Sequence, residues 1–171
     1  MNDMNTLVSR MREASVVERA HTIRHIGSYT NGQHSFDMMT LAWILMPVVT
    51  RNVMLAIMFH DLPERWTGDM PSTAKESDGE FGKRMAQIEA RIESRMGWKV
   101  ELHPDERVWV KALDKLELLL WSHDQLHMGN ENALAIISRL AGWFQVNPVP
   151  HPVVDFLEQY SWMRTSDDIP K

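Results

Sequence analysis

The chain contains no cysteine. That absence removes disulfide cross-links, thiolate nucleophiles and Cys-ligated zinc together, so any bound metal must be held by histidine and carboxylate. Positive charge is also in short supply: 18 Lys and Arg stand against 23 Asp and Glu, giving a formal net charge of -5 and a pI near 5.9. A chain of that sign exerts no general attraction on a nucleic-acid polymer, so an anionic ligand has to be met by a few local cations. Long apolar runs are missing too. None approaches the ~20 residues needed to cross a bilayer. The N-terminal "MNDMNTLVSRMREA" mixes charges early and has no apolar stretch of signal-peptide length. The expectation is a soluble, cytoplasmic protein with neither a membrane nor a nucleic-acid polymer as partner.

What is present is ordinary globular composition, 44% hydrophobic and 24% charged over 171 residues, enough to bury roughly 70% of the unfolded surface. No repeat, low-complexity tract or linker divides it, so one domain over 1–171 is expected. "SFDMMTLAWILM", residues 35–46, is apolar nearly all round, as a central buried helix would be. The run 53–59, "VMLAIMF", would suit a buried strand equally well, but no alternating partner strands occur elsewhere, and it reads as helix. Phe81, Met85, Ile88, Ile92 and Met96 recur at three- and four-residue spacing within 79–96, which predicts an amphipathic helix. "HPDERVWVKALDKLELLLWSHDQLH" opens with Pro104 and acidic residues, a good helix start. "NENALAIISRLAGWF" and "HPVVDFLEQYSWM" predict two more helices. "GSYTNGQ" and "TGDMPSTAKESDG" read as the significant loops. The fold class is all-α.

Chemistry gathers at the end of the run 53–59, where His60, Asp61, Glu64 and Asp69 follow seven apolar side chains. His34 stands at the start of the central helix. Asp114 lies in "VWVKALDKLELLLW", where an ionised carboxylate among Trp, Val and Leu is costly unless a cation meets it. Lys111, Lys115 or a divalent ion could be that cation. Two imidazoles and two carboxylates suit a borderline-to-hard ion such as Mn, Fe, Co, Mg or Zn. Spacing alone leaves salt bridges and solvated surface groups as the simpler accounts. Among the other histidines, "HDQLH" at 123–127 has the i, i+4 spacing of two zinc ligands, though exposed histidines at a helix C-terminus explain it more simply.

The order His34, His60-Asp61, Asp114 resembles the HD-domain metal-dependent phosphohydrolases. "HD-x-x-E-x-x-TGD-x-P-x-x-x-K", His60 through Lys75, is similar to the branch containing the 5'-deoxynucleotidases and the bacteriophage dATP triphosphohydrolases. "RAHT", Arg19 to Thr22, precedes "QHS" as that branch's phosphate-binding Arg precedes its first His, and "KALD" matches its Lys-x-x-Asp. The resemblance spans residue 19 to about residue 120.

It implies a single HD-domain helical bundle with His34, His60, Asp61 and Asp114 as ligands of one divalent metal ion. It implies Glu64 in the catalytic step, Asp69 at the reaction centre, and Arg19, Lys75 and Lys111 on the phosphate. Ala20 and Thr22 fall in the base pocket, with His21 a further candidate for the base edge. Relatives carry an aromatic residue where Ala20 stands, and its loss removes a stacking platform that Trp66 or Trp43 would have to replace, although both fit a core equally well. The implied reaction is hydrolysis of a deoxynucleotide 5'-phosphoester. A dNTP, dATP first, releasing deoxynucleoside and triphosphate, is the favoured substrate. A 5'-deoxynucleotidase acting on dNMPs and a non-catalytic nucleotide-binding module are the alternatives. Relatives are dimers or larger rings, which implies a homo-oligomer, dimer or hexamer, and the thirteen methionines and seven tryptophans supply apolar surface for core and contacts.

Overall fold

The computed structural model describes residues 3–163, and the backbone alone at 72, 76 and 161–163. The chain runs through α1 (Met4–Ser15), α2 (Asn31–Leu45), α3 (Arg51–Phe59), α4 (Glu64–Thr67), α5 (Ser72–Ser77), α6 (Gly79–Met96), α7 (Pro104–His127), a 3-10 turn (Glu131–Ala133), α8 (Leu134–Val146) and α9 (His151–Met163). Among the described residues there is no strand, only an isolated antiparallel bridge between Glu18 and Thr30. None of these helices is long and apolar enough to cross a membrane.

Helix starts are written into the sequence. Thr30 and Thr50 accept hydrogen bonds from the backbone of Gln33 and Val53 and so cap α2 and α3. α7 begins on Pro104, and Glu106 reaches back to accept from the His103 N–H at 2.9 Å. Gly97, at φ +70°, turns the chain out of α6 in the left-handed conformation that glycine adopts without penalty.

α7 is the axis of the bundle. Leu113 and Leu116 pack with Met38, Leu41 and Ala42 of α2, Val53 and Ile57 of α3 and Val153 of α9. One turn further on, Leu119 and Trp121 pack with Tyr29 and with Ile136 and Leu140 of α8. These two clusters lock the start of α2, the end of α3 and the middle of α7 against one another, the three places from which the chemistry of the preceding section comes.

Two loops are shorter than expected. "GSYTNGQ" gives up its last three residues to α2, because Thr30 is a better cap than anything nearer His34, and α5 forms within "TGDMPSTAKESDG". α2 is not buried all round. α3 and α7 cover one side, while Phe36, Trp43 and Ile44 on the other remain exposed, Trp43 at 80%. Trp66 is also partly exposed and packs on Trp98 at 6.1 Å between ring centroids.

Candidate active site and metal centre

His34 sits one turn into α2 and is fully buried. His60 caps the C-terminus of α3. Its Nδ1 lies 2.9 Å from the Ile57 carbonyl, and because a carbonyl only accepts, the proton is on Nδ1 and Nε2 faces inward. His34 Nε2 is 3.3 Å from His60 Nε2, 3.7 Å from Asp61 Oδ2 and 3.3 Å from Asp114 Oδ1. His60 Nε2 is 3.1 Å from Asp61 Oδ2. One ligand atom each from His34, His60 and Asp61 falls within a 4.8 Å sphere of mutual separation, a group able to hold a metal ion. Asp114 abuts it through His34, and its other oxygen is 2.7 Å from Lys115 Nζ. Imidazole nitrogens and carboxylate oxygens without sulfur fit a borderline-to-hard divalent cation.

The electrostatics agree with that fit. Burial would push His60 down, but the Asp61 carboxylate outweighs it and holds the imidazole at about 9. Asp61 is driven the other way: burial raises it, and His60 and Arg19 together pull it well below the usual carboxylate range. Surroundings negative enough to keep a proton on His60 at neutral pH also favour a divalent cation in its place.

A second layer holds these groups. Glu117, 3% exposed, lies on α7 one turn beyond Asp114. Its Oε2 accepts from both His34 Nδ1 and the Tyr29 hydroxyl. A carboxylate on the far nitrogen of a ligating histidine fixes the tautomer and raises the basicity of the near nitrogen, and its loss costs about 10–100-fold in metal affinity. Glu117→Ala is therefore expected to weaken metal binding by that factor, measured by competition with a chromogenic chelator. Glu117→Gln, which keeps an acceptor for Nδ1, should recover part of it.

Asn31, also buried, joins the other side. Its Nδ2 donates to Glu64 Oε2 at 2.9 Å and to the Asp61 carbonyl at 3.2 Å, while its Oδ1 accepts from Arg19 Nη1 at 3.2 Å. Glu64 opens α4 and is 7% exposed. The chain reaches it through tight turns, with N–H groups of Leu62 and Glu64 bonded to the carbonyls of Phe59 and Asp61 at 3.1 Å, so it stands beside Asp61. Burial, then the negative charge of Asp61, raises its carboxyl to about 8. Arg65 does not pair with it, its guanidinium bonding Glu13 instead.

These groups open onto a cleft of about 690 Å³. Of the residues singled out in the sequence, Arg19, Ala20, Thr22, His60, Asp61, Glu64, Asp69, Lys75 and Asp114 line it. His34 lies behind the wall with its Nε2 toward His60. Arg19 bonds Asp61 and Asn31 through Nη1, and its Nε is buried with no hydrogen-bond partner. Asp69 Oδ2 accepts from the Ala20 N–H at 2.9 Å, tying the "TGD" turn to the "RAHT" segment, with His21 Nδ1 3.9 Å away. Lys75 Nζ is 3.2 Å from Glu89. Lys111 does not line the cleft: its Nζ lies over the Trp143 ring, 5.8 Å from the centroid, while Lys115 takes the place beside Asp114. Trp43 and Trp66 are not on the cleft either. His127 is exposed, its Nδ1 on the His123 carbonyl.

Sequence reasoning passed over Asn31, Tyr29 and Glu117. Glu117 carried the same signal as Asp114, a carboxylate in an apolar helix at i+3, and Asn31 lies one turn before His34 on the same helix face.

No curated protein sequence matches the chain significantly. Among solved structures, the chain is similar to the cyanophage S-2L HD phosphohydrolase (DatZ), solved bound to dA and one catalytic Zn2+ ion, with a TM-score of 0.68 at 16% identity over 96% of this chain and 99% of that one. The profile of the 5'-deoxynucleotidase YfbR-like family matches residues 5–160. The chain thus belongs to the YfbR-like 5'-deoxynucleotidase family, with the fold of an HD phosphohydrolase and a histidine–carboxylate group able to hold a metal ion.

Proposed function

We propose that the chain is a 5'-nucleotidase for deoxynucleoside monophosphates, with His34, His60, Asp61 and Asp114 holding one divalent ion and Glu64 handling the proton. The observation that carries this reading is the charge of the cleft. Its lining cations, Arg19, Lys75, Lys115 and Arg139, are matched by the carboxylates Asp61, Asp69 and Asp114 of the wall and Glu89 behind Lys75, while Glu64, raised to about 8, is largely protonated at neutral pH. Arg19, Lys115 and Lys75 each already face a carboxylate. One added divalent ion then balances the dianion of a single phosphate, whereas a triphosphate brings more negative charge than the wall offsets. This charge balance supports the monophosphate over the dNTP favoured from the sequence.

The ion, when bound, acidifies water and polarises a phosphoryl oxygen. The chain supplies the rest. The Arg19 guanidinium, where it lines the cleft, donates to a phosphate oxygen, and Lys115 and Lys75 add point charges where negative charge develops. Asn31 fixes Glu64 by one oxygen, so that the carboxyl is aimed beside Asp61, where it takes a proton from the attacking water. Asp69, held by the Ala20 N–H on the cleft wall, meets the sugar or its 5'-oxygen.

The test is product analysis by ion chromatography with each dNMP and dNTP, at a fixed concentration of Mn2+, Co2+, Zn2+ or Mg2+. Orthophosphate from dNMPs, at kcat/KM at least tenfold above any dNTP, is the expected result. Release of intact triphosphate at the higher kcat/KM overturns the monophosphate reading and restores the dNTP one. Tight nucleotide binding with no phosphate released by any ion would make the chain a binding module.

A further inference from the structure

The lining of the cleft is chemically of two kinds. One is the charged cluster described above. The other is apolar, Ile23, Leu118, Ile136, Leu140 and Trp143, with Arg139 of α8 also on the cleft. A deoxynucleotide has the same polarity, an anionic group at one end and a flat apolar ring at the other. Three lining residues carry aromatic rings: Tyr29, His60 and Trp143. Tyr29 is fully buried and stacked on Trp121 at 4.4 Å between centroids, so it has no face to offer. His60 belongs to the metal group. Ala20 presents no ring. Among the described residues this leaves Trp143.

The indole is also held in a manner suited to a platform. Phe144 meets it edge-on at 5.2 Å, and Lys111 Nζ lies over its ring. Lys111 does not line the cleft, whereas Trp143 does and is itself partly exposed. A cation over one side of a tryptophan is attracted by the ring's electrons and restricts its rotation. Base–aromatic stacking tolerates all bases, because every base has a π-face.

Building on the phosphohydrolase reading above, we propose that Trp143 is the platform on which the nucleobase stacks, and that Lys111 is a positioning residue acting through that ring. Lys111 thereby contributes to nucleotide affinity without touching phosphate.

The experiment compares kcat/KM for dAMP with that for deoxyribose 5-phosphate, which lacks the base, in wild type, Trp143→Ala, Trp143→Phe, Lys111→Met and the Lys111→Met/Trp143→Ala double variant. Calorimetry of dAMP binding to the metal-loaded proteins runs alongside. Trp143→Ala should lower kcat/KM for dAMP by about 10–100-fold, chiefly through KM, and its loss on dAMP should exceed its loss on deoxyribose 5-phosphate at least fivefold. Trp143→Phe should restore most of the difference. Lys111→Met should cost a few-fold on dAMP in the wild-type background and nothing further once Trp143 is gone.

Equal losses on both substrates, or an unchanged kcat/KM for dAMP, overturn the proposal. Additive losses in the double variant remove Lys111 from it. If Trp143→Ala does not fold, as judged by its circular-dichroism melt, Trp143→Phe and Lys111→Met decide alone. If no variant releases phosphate from either substrate, the phosphohydrolase reading fails, and the calorimetry settles the platform. Binding of dAMP weakened by Trp143→Ala upholds it, and binding that is unchanged or absent throughout rejects it.

Discussion

Replacing Glu64 by glutamine is expected to lower kcat by about 10²–10⁴-fold while nucleotide binding stays within a few-fold of wild type. The substitution is informative because the site holds its shape around it. Asn31 Nδ2 donates to Glu64 Oε2, and a glutamine carbonyl accepts the same bond, so the position of the side chain is kept while its ability to exchange a proton is lost. The carboxyl is nearly buried beside Asp61 and is raised to about 8 by that burial first and by the neighbouring negative charge second. A group poised near neutral pH can take a proton and return it within one turnover, which an ordinary surface glutamate near 4.3 does less well. The check pairs steady-state kcat with calorimetric binding of dAMP. Wild-type turnover in the glutamine variant removes Glu64 from the chemistry, and loss of binding in step with kcat reassigns it to holding the substrate.

The second large effect concerns the ion. Treatment with a strong chelator, or replacement of His60 by alanine, should abolish phosphate release, a fall of about 10³-fold or more, since a bound divalent ion supplies several kcal/mol of transition-state stabilisation. Chelated wild type should recover on addition of the divalent ion, whereas His60→Ala should recover poorly, because the Nε2 that faces His34 and Asp61 is gone. The structural cost is expected to be small. His60 lies at the end of α3 and is partly exposed, outside the cluster formed by Val53 and Ile57, so the melting temperature should move little. A variant that loses activity and fold together would show His60 to be a packing residue. Full activity in the presence of excess chelator would show that hydrolysis needs no exchangeable ion.

Much of this site was legible in the sequence, and the reasons differ from residue to residue. Asp114 was visible because an ionised carboxylate inside an apolar helix demands a partner, and its partners are His34 and Lys115. His60 and Asp61 were visible because an apolar run ended abruptly in ionisable groups. Glu117 broke the same rule as Asp114 and was overlooked, since no linear motif joins it to a histidine 83 positions earlier, and only the packing of α2 against α7 brings them together.

Lys111 and Lys115 could not be separated from sequence. Both flank Asp114, and the choice depends on where α8 lies, which puts Trp143 under one and leaves the other beside the carboxylate. Trp43 shows the converse difficulty. Apolar residues all round a helix predict burial all round, yet burial also requires a neighbour on every side, and none of the described residues covers Trp43 and Ile44 on the outer face of α2.

A map of anomalous scattering from crystals grown with Mn2+ or Zn2+, recorded at that metal's absorption edge, tests the central claim most directly. One peak per chain is predicted, about 2.0–2.2 Å from the Nε2 atoms of His34 and His60 and from carboxylate oxygens of Asp61 and Asp114. A cleft without a peak, or an ion bound instead at His123 and His127, would contradict it.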